Sequence, residues 1–152
     1  MKLPFRYYLR VRYSECDAQK IVFNTRYGEY VDISVTEFLR AIGFGADLVS
    51  GDLDFQLVKQ TTEWMGSARY DDVVEASVHC VRIGTTSFVL HVAFRKAGKA
   101  DVICASETIY VCVDRSLTKK AISADVRRRL KAGAPGVAID HAACGVGDNS
   151  ND

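Results

Sequence analysis

The chain has 152 residues, 48% hydrophobic and 26% charged, which is the balance of one folded domain rather than of a disordered segment. Twenty Lys and Arg against nineteen Asp and Glu leave a formal net charge of +1, so bulk charge gives no reason to bind nucleic acid or acidic lipid. No apolar run approaches the ~20 residues that span a bilayer. The stretch from Met1 to Tyr7 also lacks the apolar core of a secretion signal. Five cysteines, an odd number without CxxC spacing, fit a reducing compartment. The expectation is a cytoplasmic protein with neither membrane nor nucleic acid as partner.

Residues 5–13 alternate. Phe5, Tyr7, Leu9, Val11 and Tyr13 share one face, and Arg6, Arg10 and Arg12 share the other, as in a half-buried strand. A polar loop, 14–24, follows. Residues 25–42 read as a helix, with Tyr27, Val31, Ser34, Val35, Phe38 and Ile42 in one stripe. Asn24 or Thr25 is suited to cap its start, and Gly43 to close its end. Gly28 sits in the first turn and is read as a place where the helix lies close on a sheet.

Four strand candidates come next, at 54–65, 73–83, 87–96 and 102–114. In the second, Val74, Ala76, Val78 and Cys80 share a face. In the third, Phe88, Leu90, Val92 and Phe94 do. The loop Gly84-Thr85-Thr86 makes these two a hairpin, which sets His79 opposite His91 and Ile83 opposite Ser87. A short helix, about 123–132, is capped by Ser123. The domain is thus expected over 1–132, with 133–152, rich in Gly, Ala and Asp, as a flexible tail. One long helix and a five-stranded, mostly antiparallel sheet make an α+β fold. The other sheet face is left for solvent or a partner subunit, and the long apolar strands favour a partner.

Chemistry concentrates in the loop. Asp17 leaves the end of a strand, and seven residues later the long helix begins. The first N–H groups of a helix lack intrahelical partners and carry partial positive charge. A carboxylate held near them is half of an acyl-transfer site: the anion attacks a carbonyl or activates water, and the amides hold the oxyanion. The residues alone equally allow Asp17 to be a turn residue.

The string Asp17…Asn24-x-x-Tyr27, continuing into Gly28-Glu29-Tyr30-Val31-Asp32, resembles the 4-hydroxybenzoyl-CoA thioesterase family of the hot-dog fold. Arg69-Tyr70-Asp71-Asp72-Val73-Val74-Glu75, Ile83-Gly84-Thr85-Thr86-Ser87-Phe88, and Val111-Cys112-Val113-Asp114 followed by Lys119-Lys120-Ala121-Ile122 are similar to later segments of that family, in order. The resemblance covers about residues 5–130. It implies a five-stranded sheet wrapped around the long helix, and an acyl-CoA thioesterase needing no metal and no cofactor. By it, Asp17 is the catalytic carboxylate and the backbone N–H of Asn24 the oxyanion donor. Lys119 and Lys120 match cations that bind the nucleotide end of CoA. Thr85 and Thr86 stand where some relatives carry such cations, which leaves Arg82 as a substitute. The resemblance further implies a homodimer by edge-strand pairing, assembled into a homotetramer. Many relatives carry Gly where Lys20 stands, and Asn24 replaces the His of one branch.

Two other readings stay open at this stage: a non-catalytic acyl-thioester binding module, and a thioesterase acting on acyl carrier protein through the basic residues Lys119, Lys120 and Arg127 to Arg129. The run Arg127-Arg128-Arg129 is first of all a solvated helix face. His79 and His91 are weighed as a zinc pair and assigned instead to structure or subunit contact, since no third ligand has suitable spacing. Trp64 is read as core and Glu63 as an exposed charge.

Overall fold

The long helix buries its stripe because the residues that recur every three or four positions are the large apolar ones. In the computed structural model, which describes residues 2–51 and 53–145, helix α1 spans Arg26–Leu39 and buries Tyr27, Tyr30, Val31, Ser34, Val35, Phe38 and Leu39. A π-helical turn, Arg40–Phe44, and a short helix α2, Gly45–Ser50, continue it. Gly43 takes φ +99, a conformation that side chains with a Cβ rarely adopt, and this breaks the helical path. The predicted end at Gly43 is therefore a bend, and α2 lies beyond it.

Strands β1 (Phe5–Arg10), β2 (Asp54–Trp64), β3 (Val73–Ile83), β4 (Ser87–Lys96), β5 (Val102–Val113) and β6 (Ala138–Asp140) form one sheet in the order β2-β5-β4-β3-β1-β6. All pairs are antiparallel except β1–β6. The inner face presents Phe5, Val74, Ala76, Val78, Phe88, Leu90, Val92, Phe94 and Cys104 to α1, and all nine are buried. Aromatic edges lock the two layers, with Phe5 against Phe38 at 5.6 Å and Tyr27 against Phe94 at 5.8 Å between ring centres. A helix stripe and a period-two sheet face that meet this way each remove the other's apolar surface from water.

Several expectations need correcting. His79 does face His91, with ring centres 5.3 Å apart, but a bulge after Cys80 sets Ile83 opposite Phe88 rather than Ser87. β1 stops at Arg10, and Tyr13 falls in a 3₁₀ turn, Tyr13–Glu15, where it is exposed and packs edge-on to Tyr70. Trp64 is half exposed on β2 rather than core, because β2 is the free edge of the sheet. The described part of the tail is tied down. β6 pairs with β1, His141 N–H donates to the Tyr8 carbonyl at 3.0 Å, and the Asp140 carboxylate accepts from the amides of Ala142, Cys144 and Gly145. Residues 146–152 of the expected tail lie outside the described residues. Helix α3, Ala124–Ala132, is capped by the Ser123 hydroxyl as expected.

Candidate active site

The loop between β1 and α1 folds into a tight hairpin. Cys16 bridges Val22, the Asp17 amide donates to the Ile21 carbonyl at 2.9 Å, and the Lys20 amide donates to the Asp17 carbonyl at 2.9 Å. The hairpin is docked on its neighbours. Ile21 bridges Arg69, and the Val22 amide donates to the Ala68 carbonyl at 2.9 Å. Lys20 takes φ +66, the left-handed region, where a side chain costs ~1–2 kcal/mol. This is the physical reason why Gly suits that position. Among the described residues Lys20 forms no ion pair with Asp17.

Asp17 is half-buried. Its Oδ1 accepts the Gln19 amide at 2.8 Å, a turn in which Asp holds its own backbone. Among the described residues Oδ2 has no hydrogen-bond partner. Asn24 is exposed and stands just before α1. It lies three residues past Ile21, the partner of Asp17, so at most ~10 Å of chain separates Asn24 from that pair.

The start of α1 carries no side-chain cap, which corrects the expectation for Asn24 and Thr25. Among the described residues the N–H groups of Asn24 and Thr25 meet no acceptor, while those of Arg26, Tyr27 and Gly28 turn back to the carbonyls of Phe23, Asn24 and Thr25. An uncapped helix start with two open amides has donors able to hold an anion. Gly28 approaches β2 in ordinary contact: a Cβ there would lie 3.9 Å from Gln60 Nε2.

Glu15 is the residue that the sequence reading passed over. Its carboxylate is 3% exposed. Oε1 accepts the Arg12 amide at 2.7 Å and the Tyr30 hydroxyl at 2.9 Å; Oε2 accepts Arg12 Nε at 3.2 Å and Nη2 at 3.0 Å. Burial alone would raise its pKa, but the Arg12 guanidinium, the Arg12 amide and the Tyr30 hydroxyl outweigh burial and hold it below the usual carboxylate range. The signal was an Arg–Glu spacing of three beside the point where the strand alternation stops. Beside this cluster a groove of about 300 Å³ is lined by Tyr7, Arg10, Arg12, Glu15, Tyr30 and His141. Burial, Glu15 and Asp17 push the Cys16 thiol up, which disfavours its thiolate.

The predicted cations gather elsewhere. Lys119 bridges Val113, the Lys120 amide donates to the Cys112 carbonyl, and Ile122 N–H donates to the Thr85 carbonyl at 2.8 Å, which places the 119–122 segment against the β3–β4 hairpin. Lys119, Lys120 and Arg82 are all exposed there. The Asp17 loop adjoins the other end of β3, since Arg10 pairs with Val73. The 11 residues of β3 make that separation ~30 Å within one chain. The arginine run is engaged rather than free. Arg127 donates to the Gly84 carbonyl at 2.8 Å, Arg128 pairs with Asp125, and Arg129 donates to the Gly43 carbonyl at 3.0 Å and lies over the Phe44 ring. Among the described residues no group of three or more His, Cys, Asp or Glu is placed to hold a metal ion, the His79–His91 pair included. No described helix is long and apolar enough to cross a membrane.

Residues 19–103 match the family model of the thioesterase superfamily. The chain is 30% identical over 111 residues to the acyl-CoA thioester hydrolase YbgC of Escherichia coli (strain CFT073), across 72% of this chain and 82% of that protein. A hypothetical protein from Aquifex aeolicus superposes with a TM-score of 0.77 at 27% identity, covering 84% of this chain and all of that one. BH1999, a gentisyl-coenzyme A thioesterase, superposes with a TM-score of 0.71 at 25% identity, covering 82% and 98%. The family match begins two residues after Asp17, so it carries the helix and the sheet rather than the carboxylate. On its sheet wrapped around one long helix and on this match, the chain belongs to the thioesterase superfamily and has the hot-dog fold.

Proposed function

We propose that this protein hydrolyses the thioester bond of an acyl-CoA, with Asp17 as nucleophile or general base and the Asn24 amide as oxyanion donor. One observation carries the reading. A half-buried carboxylate with one unpartnered oxygen stands on a hairpin whose returning arm leads into the uncapped start of the only long helix among the described residues. A thioester carbonyl between them meets an anion on one side and open amides on the other. Either Asp17 attacks the carbonyl carbon, expelling CoA thiolate and leaving an anhydride that water opens, or it takes a proton from the water that attacks. In both routes the C–S bond breaks, water supplies the new acid oxygen, and the thiolate ends as thiol. A thiol of pKa ~8.5 is a good leaving group, so no strong acid is required opposite Asp17.

The cations enter through a second copy. β2 is an 11-residue edge strand with Leu57 and Val58 exposed, and unpaired edges of that length pair with another chain. Antiparallel β2–β2 pairing about a two-fold axis brings the Asp54 end of one copy to the Trp64 end of the other. Asp54 pairs with Val113, which bridges Lys119. Lys119 and Lys120 of one copy thereby approach the end of the sheet that carries Asp17 in its mate, and the ~30 Å gap within one chain ceases to matter. The reading is thus a homodimer at least, with CoA phosphates near lysines of the opposite copy.

The test is Asp17→Asn assayed against acetyl-, hexanoyl-, palmitoyl- and benzoyl-CoA. A loss of at least a hundredfold in kcat is expected, with the variant still folded. Turnover at the wild-type rate would refute the mechanism. Rates for the same acyl group on CoA and on acyl carrier protein decide the carrier. The engagement of all three arginines of α3 by this chain's own groups favours CoA.

A further inference from the structure

We propose that Glu15 is a positioning residue for Asp17: it fixes the hairpin that bears Asp17 relative to the start of α1. This rests on the reading of Asp17 given above. Three parts of the chain converge on Glu15. Its carboxylate accepts from Arg12, two residues past the end of β1, and from Tyr30, one turn into α1. Its carbonyl accepts the Phe23 amide at 2.9 Å, one residue before Asn24. The same residue therefore ties the outgoing arm of the hairpin, the returning arm and the helix. Asp17 has no comparable anchor. Its side chain bonds only to its own turn, at the Gln19 amide. Where its free oxygen points is set by how the hairpin is held, two residues away.

The chemistry of the brace supports this role over simple stability. The Arg12 side chain is 70% exposed, and an ion pair with one partner in water is a modest source of stability. What a carboxylate with four directed donors supplies is one geometry. Reaction rates are sensitive to that geometry: ~1 Å of misplacement costs ~100-fold.

The experiment compares Glu15→Gln, Tyr30→Phe and Asp17→Asn with wild type, using the acyl-CoA of the panel above that turns over fastest. Phe38→Leu, a core change at the far end of α1, is the stability control. For Glu15→Gln, kcat is expected to fall at least tenfold at a temperature where the protein is fully folded, with KM within threefold. Hydrogen exchange at the amides of Asp17 and Lys20 is expected to quicken at least tenfold. Phe38→Leu lowers thermal stability and keeps kcat. If Glu15→Gln does not fold, Tyr30→Phe, which keeps the Arg12 pair, carries the test, with at least a threefold loss of kcat and faster exchange at the same amides. Unchanged exchange at those amides, or kcat within twofold of wild type while Asp17→Asn is inactive, overturns the positioning role and leaves the site reading intact. An Asp17→Asn variant as active as wild type overturns the site reading itself.

Discussion

Two tyrosines one turn apart on α1 should respond in opposite directions to loss of the same hydroxyl. Tyr27 and Tyr30 are 2% and 1% exposed. Each keeps its ring contacts as Phe, since both rings meet Phe94 and each other through their edges or faces. The hydroxyls differ. That of Tyr27 is buried without a hydrogen-bond partner among the described residues, and burial pushes its pKa up to about 12. Leaving a hydroxyl dry costs ~1–3 kcal/mol, so Tyr27→Phe should stabilise the fold by about 1 kcal/mol. In a chain of this length that is a rise of ~2–4 °C in Tm. The Tyr30 hydroxyl donates to the buried carboxylate of Glu15 at 2.9 Å. Removing it strips a donor from a charge that has no water to replace it, and Tyr30→Phe should destabilise by ~1–3 kcal/mol. Urea unfolding of both variants, followed by far-UV circular dichroism, measures the two shifts. Shifts of the same sign, or a destabilised Tyr27→Phe, would refute the reasoning about which hydroxyl is satisfied.

Other expectations concern the loop and the edge. The folded-state pKa of Glu15 is depressed, so its contribution to stability is fully present above the unfolded value of ~4.3 and lost as pH falls through the folded value. The stability gap between wild type and Glu15→Gln, measured by unfolding from pH 7 to 3, should therefore close on the acid side, and a gap that widens there would contradict the sign. Lys20→Gly should be neutral or stabilising by up to ~1 kcal/mol because it relieves a left-handed side chain, whereas Lys20→Val should destabilise. Val58→Asp on the exposed edge of β2 places like charges near the two-fold axis of the proposed dimer. Sedimentation should show a species of twice the 16.8 kDa chain mass for wild type and the single-chain mass for the variant.

The site was legible in proportion to how local its signals are. Asp17, Asn24 and the helix start could be read together because they lie within one short stretch, and hairpin and helix start are local structures. Glu15 was passed over. Its partners, Arg12 and Tyr30, are three and fifteen residues away, and nothing in the sequence says that a carboxylate beside a loop is 3% exposed. Arg129 was read as solvated, yet its partner is the Gly43 carbonyl, 86 residues away. The lysines were grouped with Asp17 through a resemblance, and the strand register puts them at the opposite end of the same sheet.

Periodicity by itself determined five of the strands, the long helix and the apolar faces of β1, β3, β4 and that helix, because the alternation of two and the stripe of three and four are written in neighbouring residues. The sequence also determined the chemical inventory of the loop. Tertiary structure alone decided the strand order, the bulge that shifts Ile83, the docking of residues 138–140 on β1 and the burial of Glu15. Each of these is a choice among partners distant in the chain, made by the total surface buried and the hydrogen bonds completed, and no local pattern encodes that sum.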